Sequence, residues 1–272
     1  MLQVGTSFTL EPLGAFSLRA AARFWKGFTP ASHSGLDAEG HLHMAFPVEG
    51  SWDTAGVCLQ QAPNGDIVAE VFGDVEVERV QRHTATILSL DVDGRAFNEI
   101  AKRDAVAGEV LRRYPGLRPV CFYSPYEAAV WAIISHRIRM SQAATIKARM
   151  LEAMGETVSI HGKSMRAFPP PRVLSDLQSF SELFGHKVAN LRAIANAALA
   201  GDLDAAHLRS LPDVVALAEL QALPGIGPFS SELILLRGAG HPDGEGCRTP
   251  SRATHLGALG KAFNWSIDYF SA

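Results

Sequence analysis

The residues whose types and spacing best suit a chemical role form a glycine turn between two apolar segments. Residues 223–227 read Leu-Pro-Gly-Ile-Gly, between apolar segments at about 214–222 and 228–237. Gly225 and Gly227 permit a tight turn and close approaches that side chains would forbid, and Ile226 fills the space between the helices. Such a turn exposes the amides at the start of the second helix, which attract an anion such as a DNA phosphate. The alternative is a helical packing element that binds no ligand.

The charge along the chain is uneven, although the formal net charge is only −3. That net charge argues against a protein that coats nucleic acid in general. Residues 41–130 hold 8 Lys and Arg against 13 Asp and Glu, whereas residues 131–200 hold 9 against 4. A basic region on a mildly acidic protein fits a polyanion bound at one face, and chance variation among solvated charges is the alternative.

The composition is typical of a globular protein, with 272 residues of which 47% are hydrophobic and 19% charged. This length suits two domains or one large one. The three cysteines, Cys58, Cys121 and Cys247, exclude a disulfide framework, a paired-cysteine metal knuckle and an all-cysteine iron–sulfur cluster. No apolar run reaches the roughly 18 to 20 residues of a membrane span, and the N-terminus lacks the pattern of a secretory signal. We therefore expect a reduced, cytoplasmic protein.

The pattern of apolar residues predicts two regions of different structure. Residues 1–90 predict helices over 16–28 and 76–90 and strands over 7–10, 41–48, 55–60 and 67–73, with a hairpin turn at 63–66. From about residue 91 the strand signals stop, and helices are predicted over 94–114, 126–136, 141–154, 173–177, 187–200 and 214–222. Ser124 before Pro125, with Glu127 three residues after it, is typical of a helix start. The predicted fold class is α+β, with an N-terminal α+β domain (1–90) containing an antiparallel sheet and an all-α region (91–272).

On these residues the sequence resembles the helix-hairpin-helix DNA glycosylases, and within them the bacterial 3-methyladenine DNA glycosylase II branch. The resemblance is carried by the turn at 223–227, by Tyr-Glu-Ala-Ala-Val-Trp-Ala-Ile-Ile-Ser-His at 126–136, by Gly-His-Lys at 185–187 with Leu-Arg-Ala-Ile-Ala at 191–195, and by Gly-Asp-Leu at 201–203. It covers the chain up to about Asp243 and implies an N-terminal α+β domain before a helical glycosylase core, here shortened at its C-terminus. It implies a monomer that removes alkylated purines, of the 3-methyladenine and 7-methylguanine type, from duplex DNA in base-excision repair. Such an enzyme needs no cofactor and lies on the nucleoid when bound to DNA.

The resemblance also implies which residues meet the DNA. The loop after helix 126–136 would supply the wedge that fills the stack when the target base leaves it, and an aromatic ring would stack on a cationic base, a gain of about 1 to 2 kcal/mol. The wedge candidates are Arg137 and Ile138, and Arg139 is a candidate phosphate contact; core packing of Ile138 and solvation of the arginines is the alternative. The implied base-pocket residues are Phe229, Tyr126 and Trp131. The implied DNA-binding residues are Gly225, Ile226, Gly227, Phe229, Ser230, His136, Arg137, Ile138 and Arg139.

The carboxylate that the resemblance leads us to expect is missing at its usual spacing, where Arg248 and Thr249 stand. The nearest acids are Asp243 and Glu245, a few residues earlier. A carboxylate here would stabilise the positive charge that develops on the sugar or activate water. Three interpretations stay open: a shifted loop places one of these acids, the protein binds DNA without cleaving the bond, or the chain is altered near its end.

The same resemblance bears on other functions and on a possible ligand. The lysine of the Schiff-base branch would fall at Phe229, so we expect a monofunctional hydrolase. The resemblance implies that the backbone carbonyls of Gln221, Leu223 and Ile226 hold a monovalent cation, Na⁺ or K⁺, that bridges to a phosphate. A transcription-associated regulatory module is a further class, but the helix over 229–237 is too apolar to read bases.

A group of histidines lies outside this motif. His33, His41 and His43 are near Asp37 and Glu39, and His41 and His43 would share one face of a strand. Because a zinc site needs three or four converging ligands, we expect a solvated loop and strand edge here.

Overall fold

The computed structural model describes residues 6–31, 35–95, 99 and 102–241. Over these residues the chain is a mixed helix and sheet structure, as the sequence predicts. None of the helices within the described ranges combines the length and the hydropathy that a membrane span requires.

The N-terminal part is built on a four-stranded antiparallel sheet with the strand order β1-β4-β3-β2. Alternate residues of its strands, Leu42, Met44 and Phe46 among them, are fully buried because successive side chains point to opposite faces. Two helices cover this face and form with it what we call the sheet core. The predicted hairpin turn at 63–66 is confirmed. The elements are β1 (Thr6–Leu10), α1 (Leu18–Gly27), β2 (Leu42–Pro47), β3 (Thr54–Gln61), β4 (Ile67–Phe72) and α2 (Val77–Ile87).

The C-terminal part of the described chain is mainly helical and packs around one central helix. That helix begins where the sequence predicts, with the Ser124 hydroxyl accepting the backbone N–H of Glu127 at 3.1 Å. Its residues 125–134 are all buried, and they form the centre of what we call the helical core. The helices are α3 (Ala105–Arg113), α4 (Pro125–Ser135), α5 (Met140–Met154), α6 (Pro171–Ser175), α7 (Lys187–Ala200), α8 (Ala205–Ser210), α9 (Asp213–Ala222) and α10 (Pro228–Leu233), and a π-helical turn over Ile234–Gly238 follows α10.

The prediction that residues beyond 91 are all-α is wrong at one place. Two strands, β5 (Glu156–Ile160) and β6 (Lys163–Ala167), form an antiparallel hairpin after α5. Its turn residues His161 and Gly162 both have positive φ, +48° and +78°, the combination that a two-residue hairpin turn requires. Each strand is five residues long and has only one fully buried residue, Ile160 in β5 and Ala167 in β6, so the pattern is too short to mark a strand in the sequence.

This second hairpin packs on the outer face of the N-terminal sheet. A side-chain carbon at Gly56 of β3 would lie only 2.8 Å from Ile160, so the glycine is what allows the two backbones to approach. The Thr54 hydroxyl donates to Glu156 at 2.7 Å, and the Arg172 guanidinium donates to the Trp52 carbonyl at 2.7 Å. The N-terminal sheet is therefore covered on both faces, on one of them by residues from the later half of the chain.

The two cores meet at Trp52, in the turn between β2 and β3. Its indole is buried in the helical core, where it packs edge-on against Tyr126 with ring centres 5.5 Å apart. Val120, from the segment before α4, lies in the sheet core instead. The sheet therefore supports α4, and α4 supports the loops described next.

Candidate nucleic-acid interface

The glycine turn forms a hairpin between α9 and α10. Gly225 has φ +83°, a conformation that L side chains rarely adopt, and the Ile226 N–H donates to the Leu223 carbonyl at 3.1 Å. Ile226 is only 5% exposed and packs into the helical core, as the sequence predicts. Residues 224 and 225 are exposed at the tip of the turn. The turn therefore combines a buried anchor with a backbone that faces solvent.

The two glycines of the turn have different surroundings. A side-chain carbon on Gly225 would collide with the Asn190 side-chain amide and lie 2.7 Å from the buried Cδ1 of Ile133. A side-chain carbon on Gly227 would meet no heavy atom within 4 Å, and the backbone there is extended, with φ −99°. Gly225 is thus needed for packing, whereas Gly227 leaves open space beside the start of α10.

That open space adjoins backbone donors. Gly227 caps α10 and accepts the Ser231 N–H at 2.9 Å, and the amides of the first helical turn have no acceptor within the helix. Phe229 is 70% exposed, whereas the side chain of Ser230 is buried. The α10 start can thus offer main-chain N–H groups to an anion, without help from the Ser230 hydroxyl.

A second loop, His136–Arg139, joins α4 to α5. His136, Arg137 and Arg139 are exposed, whereas Ile138 is half-buried against the helical core. Arg137 has φ +56°, an unfavourable conformation for a residue with a side chain. Strain of this kind persists where surrounding structure holds it, and it often marks a binding loop. Of the two wedge candidates, the structure exposes Arg137 and anchors Ile138.

The turn and the loop lie at the same end of the helical core. Ile133, one turn before His136, sits beneath Gly225. The Lys187 ammonium donates to the Ile134 carbonyl at 2.7 Å, which brings the start of α7 to the same place. We call the residues His136–Arg139, Leu223–Phe229 and Lys187–Asn190 the loop surface. It carries exposed cationic side chains beside exposed backbone, which suits a phosphate chain.

Sequence reasoning missed three residues at or beside this surface. Asn190 packs against Gly225. The Lys187 ammonium donates to the Ile134 carbonyl at the end of α4, and burial lowers the pKa of that ammonium. Phe184, 76% exposed, lies just before α7. The contacts of Asn190 and Lys187 join segments far apart in the chain, and the exposure of Phe184 is visible only in the structure, so no local pattern could have identified them.

The base-pocket candidates are not brought together at the surface. Phe229 is exposed, but Tyr126 and Trp131 are 1% and 3% exposed and belong to the helical core. The Tyr126 hydroxyl donates to the Pro169 carbonyl at 3.0 Å, and burial raises the pKa of that hydroxyl well above its usual value. Core packing accounts for both rings, and their assignment to a pocket stays a prediction.

Both catalytic candidates, Asp243 and Glu245, lie outside the described residues, as does His33. Glu127 is a buried acid in the same helix as the loop, where the Lys147 ammonium is 2.5 Å from its carboxylate. It stands nine residues before His136, about 13 Å away at 1.5 Å per residue. Glu127 is therefore too distant to replace a missing acid at the loop surface.

The backbone carbonyls of Gln221, Leu223 and Ile226, which the resemblance implies as ligands of a monovalent cation, are oxygen donors of the kind that such an ion binds. All three lie at the end of α9 or in the turn, and the Leu223 carbonyl, which accepts the Ile226 N–H, keeps a second lone pair. The cation itself stays a prediction.

Relatives of this chain were found among curated proteins. The sequence is 26% identical over 168 residues to a DNA-3-methyladenine glycosylase of Bacillus subtilis, covering 59% of this chain and 54% of that protein. It is 27% identical over 204 residues to a probable bifunctional transcriptional activator/DNA repair enzyme AlkA of Mycobacterium tuberculosis, covering 71% of this chain and 39% of that protein. The chain thus spans about half, or less, of the length of these relatives. No protein-family model matches it.

Solved structures share the fold. A 3-methyladenine DNA-glycosylase from Archaeoglobus fulgidus superposes with a TM-score of 0.68 at 21% identity, covering 86% of this chain and 80% of that one. The apo form of an 8-oxoguanine glycosylase/lyase from Clostridium acetobutylicum gives 0.60 at 19% identity, covering 86% and 78%. This likeness shows that the chain has the same fold as these DNA glycosylases, and the sequence relatives are similar to it at 26% and 27% identity.

Proposed function

We propose that this chain is a monofunctional DNA glycosylase that hydrolyses the N-glycosidic bond of alkylated purines in duplex DNA. The observation that carries the proposal is the loop surface, where an open backbone turn and an exposed arginine loop lie at one end of the helical core. The names of the relatives in Bacillus subtilis and Archaeoglobus fulgidus support 3-methyladenine as a substrate, and the proposal extends to purines of the 7-methylguanine type.

The loop surface suits the binding of a strand with one base turned out. The amides at the start of α10 would hold a phosphate, and a monovalent cation on the Gln221, Leu223 and Ile226 carbonyls would add positive charge to the same phosphate. Arg137 would fill the space that the extruded base leaves in the stack, because it is the exposed residue of the two wedge candidates. Ile138 keeps that loop on the helical core.

The bond-breaking step needs little help from acid catalysis. An alkylated purine is cationic and leaves as a neutral base, taking the electrons of the C1′–N bond. Water then adds to C1′ of the oxocarbenium-like sugar and loses a proton to the carboxylate. Asp243 and Glu245 are the candidates for that carboxylate. Phe229, exposed beside the turn, would stack on the cationic base.

A second candidate function is DNA binding without catalysis by the same surface. The absence of a carboxylate at the expected position, where Arg248 and Thr249 stand, favours it. The two functions share the hairpin and the loop, and they differ only in whether an abasic site forms.

One experiment separates the two functions. A duplex with a single alkylated adenine is incubated with the full chain, and abasic sites are measured by alkaline strand cleavage, with an undamaged duplex as the control substrate. We expect release by the wild type and loss of release, with binding retained, in Glu245→Ala or Asp243→Ala. Glu219→Ala, a surface acid paired with His207, is the matched control and should keep full activity. Tight binding without release by the wild type would instead support the non-catalytic function, and absence of both would refute the proposal.

A further inference from the structure

Three side chains of types that can bind a metal ion converge on the outer face of the N-terminal sheet. His43 in β2 and Cys58 in β3 are directly paired across the antiparallel ladder, so their side chains lie side by side on one face. His41 precedes His43 by two residues and shares that face. A nitrogen of each imidazole and the Cys58 sulfur all lie within 4.8 Å of one another.

Asp37 adds a fourth donor. Its Oδ2 is 3.6 Å from His41 Nδ1 and 3.7 Å from His43 Nε2. Two donors that share one zinc ion at about 2.1 Å and a tetrahedral angle lie about 3.4 Å apart. The other oxygen, Oδ1, accepts the backbone N–H groups of Glu39 and His41 at 3.0 and 2.8 Å, which orients the carboxylate toward the imidazoles. These three groups are thus already near the spacing that a shared ion requires.

The burial of the four groups suits a held ion. The side chains of His43 and Asp37 are 15% and 18% exposed, that of His41 is 28% exposed, and Cys58 is buried. Burial, with the nearby charges of Glu70 and Asp37, raises the pKa of the Cys58 thiol to about 11, so this thiol is not a ready nucleophile. A bound divalent ion displaces the thiol proton, because the thiolate is the ligand.

A third histidine lies beside the group and has other partners. His161, at the tip of the second hairpin, has its ring centre 6.1 Å from that of His43. Its Nε2 is 3.2 Å from the Glu70 carboxylate, and its ring packs edge-on against Phe72. His161 therefore borders the group without belonging to it, and it provides a close control.

We propose that His41, His43, Cys58 and Asp37 bind one zinc ion. Two imidazoles, a thiolate and a carboxylate are ligands that zinc accepts, and four protein donors complete its tetrahedral coordination. Because no position stays open for water or substrate, the ion is structural and takes no part in base excision. It fixes the segment 37–41 to β2, an edge strand, and to β3. This site does not depend on the proposed function.

The test uses the full chain after removal of metal by a chelator. Zn²⁺ is titrated by calorimetry, and Co²⁺ is added separately as a spectroscopic probe. We expect one ion per chain, a rise in Tm with Zn²⁺, and a thiolate-to-Co²⁺ charge-transfer band in the near ultraviolet. Cys58→Ser should remove that band, and His43→Gln should weaken zinc binding by more than the roughly 10- to 100-fold that loss of an outer partner costs. His161→Gln and Cys121→Ser should leave the band and the stoichiometry unchanged.

The variants also guard against a folding artefact. Circular dichroism in the presence of chelator should show that each variant is as folded as the metal-free wild type. If His43→Gln does not fold, His41→Gln replaces it, because His41 is the more exposed ligand, and this variant should also bind zinc more weakly. A wild type that binds no Zn²⁺, a cobalt band that survives Cys58→Ser, or a loss of binding in His161→Gln alone would overturn the proposal.

Discussion

The two glycines of the hairpin allow its packing role and its binding role to be tested separately. In Gly225→Ala, the left-handed backbone costs about 1 to 2 kcal/mol for an L residue. The new methyl group would also press on Asn190 and on the buried Ile133, and overpacking of a core costs about 1 to 3 kcal/mol. Together these terms predict a loss of about 2 to 5 kcal/mol in the free energy of unfolding.

Gly227→Ala should have the opposite effect, with stability retained and DNA affinity reduced. The backbone there is extended and a methyl group would meet nothing within 4 Å, so stability should be unchanged or raised by about 0.4 to 1 kcal/mol. The methyl group would occupy the open space beside the α10 amides. DNA affinity should then fall about tenfold or more, because a hydrogen bond to a charged acceptor contributes about 1.5 to 3 kcal/mol.

Both variants are measured by urea unfolding and by fluorescence anisotropy on a duplex that contains an abasic-site analogue, at one fixed salt concentration. A Gly225→Ala protein as stable as the wild type would refute the packing argument at this turn. A Gly227→Ala protein that binds DNA as tightly as the wild type would show that no phosphate approaches the start of α10.

Further predictions concern four other side chains. Arg139→Ala should weaken DNA binding at every sequence and reduce the slope of log affinity against log salt by about 1, measured by titration at several salt concentrations. Phe229→Ala should lower base excision with little change in Tm, whereas Tyr126→Phe should lower stability by about 1 kcal/mol and leave excision rates unchanged. Burial lowers the pKa of His83 from 6.5 to about 4, so the unfolded chain takes up a proton that the folded chain refuses, and the contribution of His83 to stability is lost as pH falls from 6.5 to 4. His83→Gln should flatten that loss in urea unfolding as a function of pH.

The parts of the fold that follow from local patterns could be predicted from the sequence. β4 alternates buried and exposed residues, and α4 begins with a serine cap and a proline. The hairpin of α9 and α10 follows from two glycines around one apolar residue. In each of these cases the signal lies within a few residues of chain, where backbone geometry and side-chain pattern act together.

The parts set by contacts between distant segments could not be predicted. The β5–β6 hairpin has only one fully buried residue in each strand, and it packs against Gly56, a hundred residues earlier. Cys58 meets His43 only through the register of β2 and β3, so the sequence spacing of the histidines alone predicts a solvated edge. Tyr126 and Trp131 have the aromatic character of pocket residues, but the surrounding helices bury them. Sequence spacing gives no measure of that burial.

The loop surface is connected to the N-terminal sheet by a short and continuous stretch of chain, which gives the sheet a role in supporting the loop. The loop His136–Arg139 leads directly into α5, which ends at Met154. After Gly155 the chain enters β5, where Glu156 accepts a hydrogen bond from Thr54 of β3. If Arg137 fills the base stack as proposed, the force of the bases on it would pass along α5 and β5 to the N-terminal sheet. Removal of residues 1–90, or a substitution that disrupts the contact at Gly56, would take away the support of this loop without changing any residue of the loop surface.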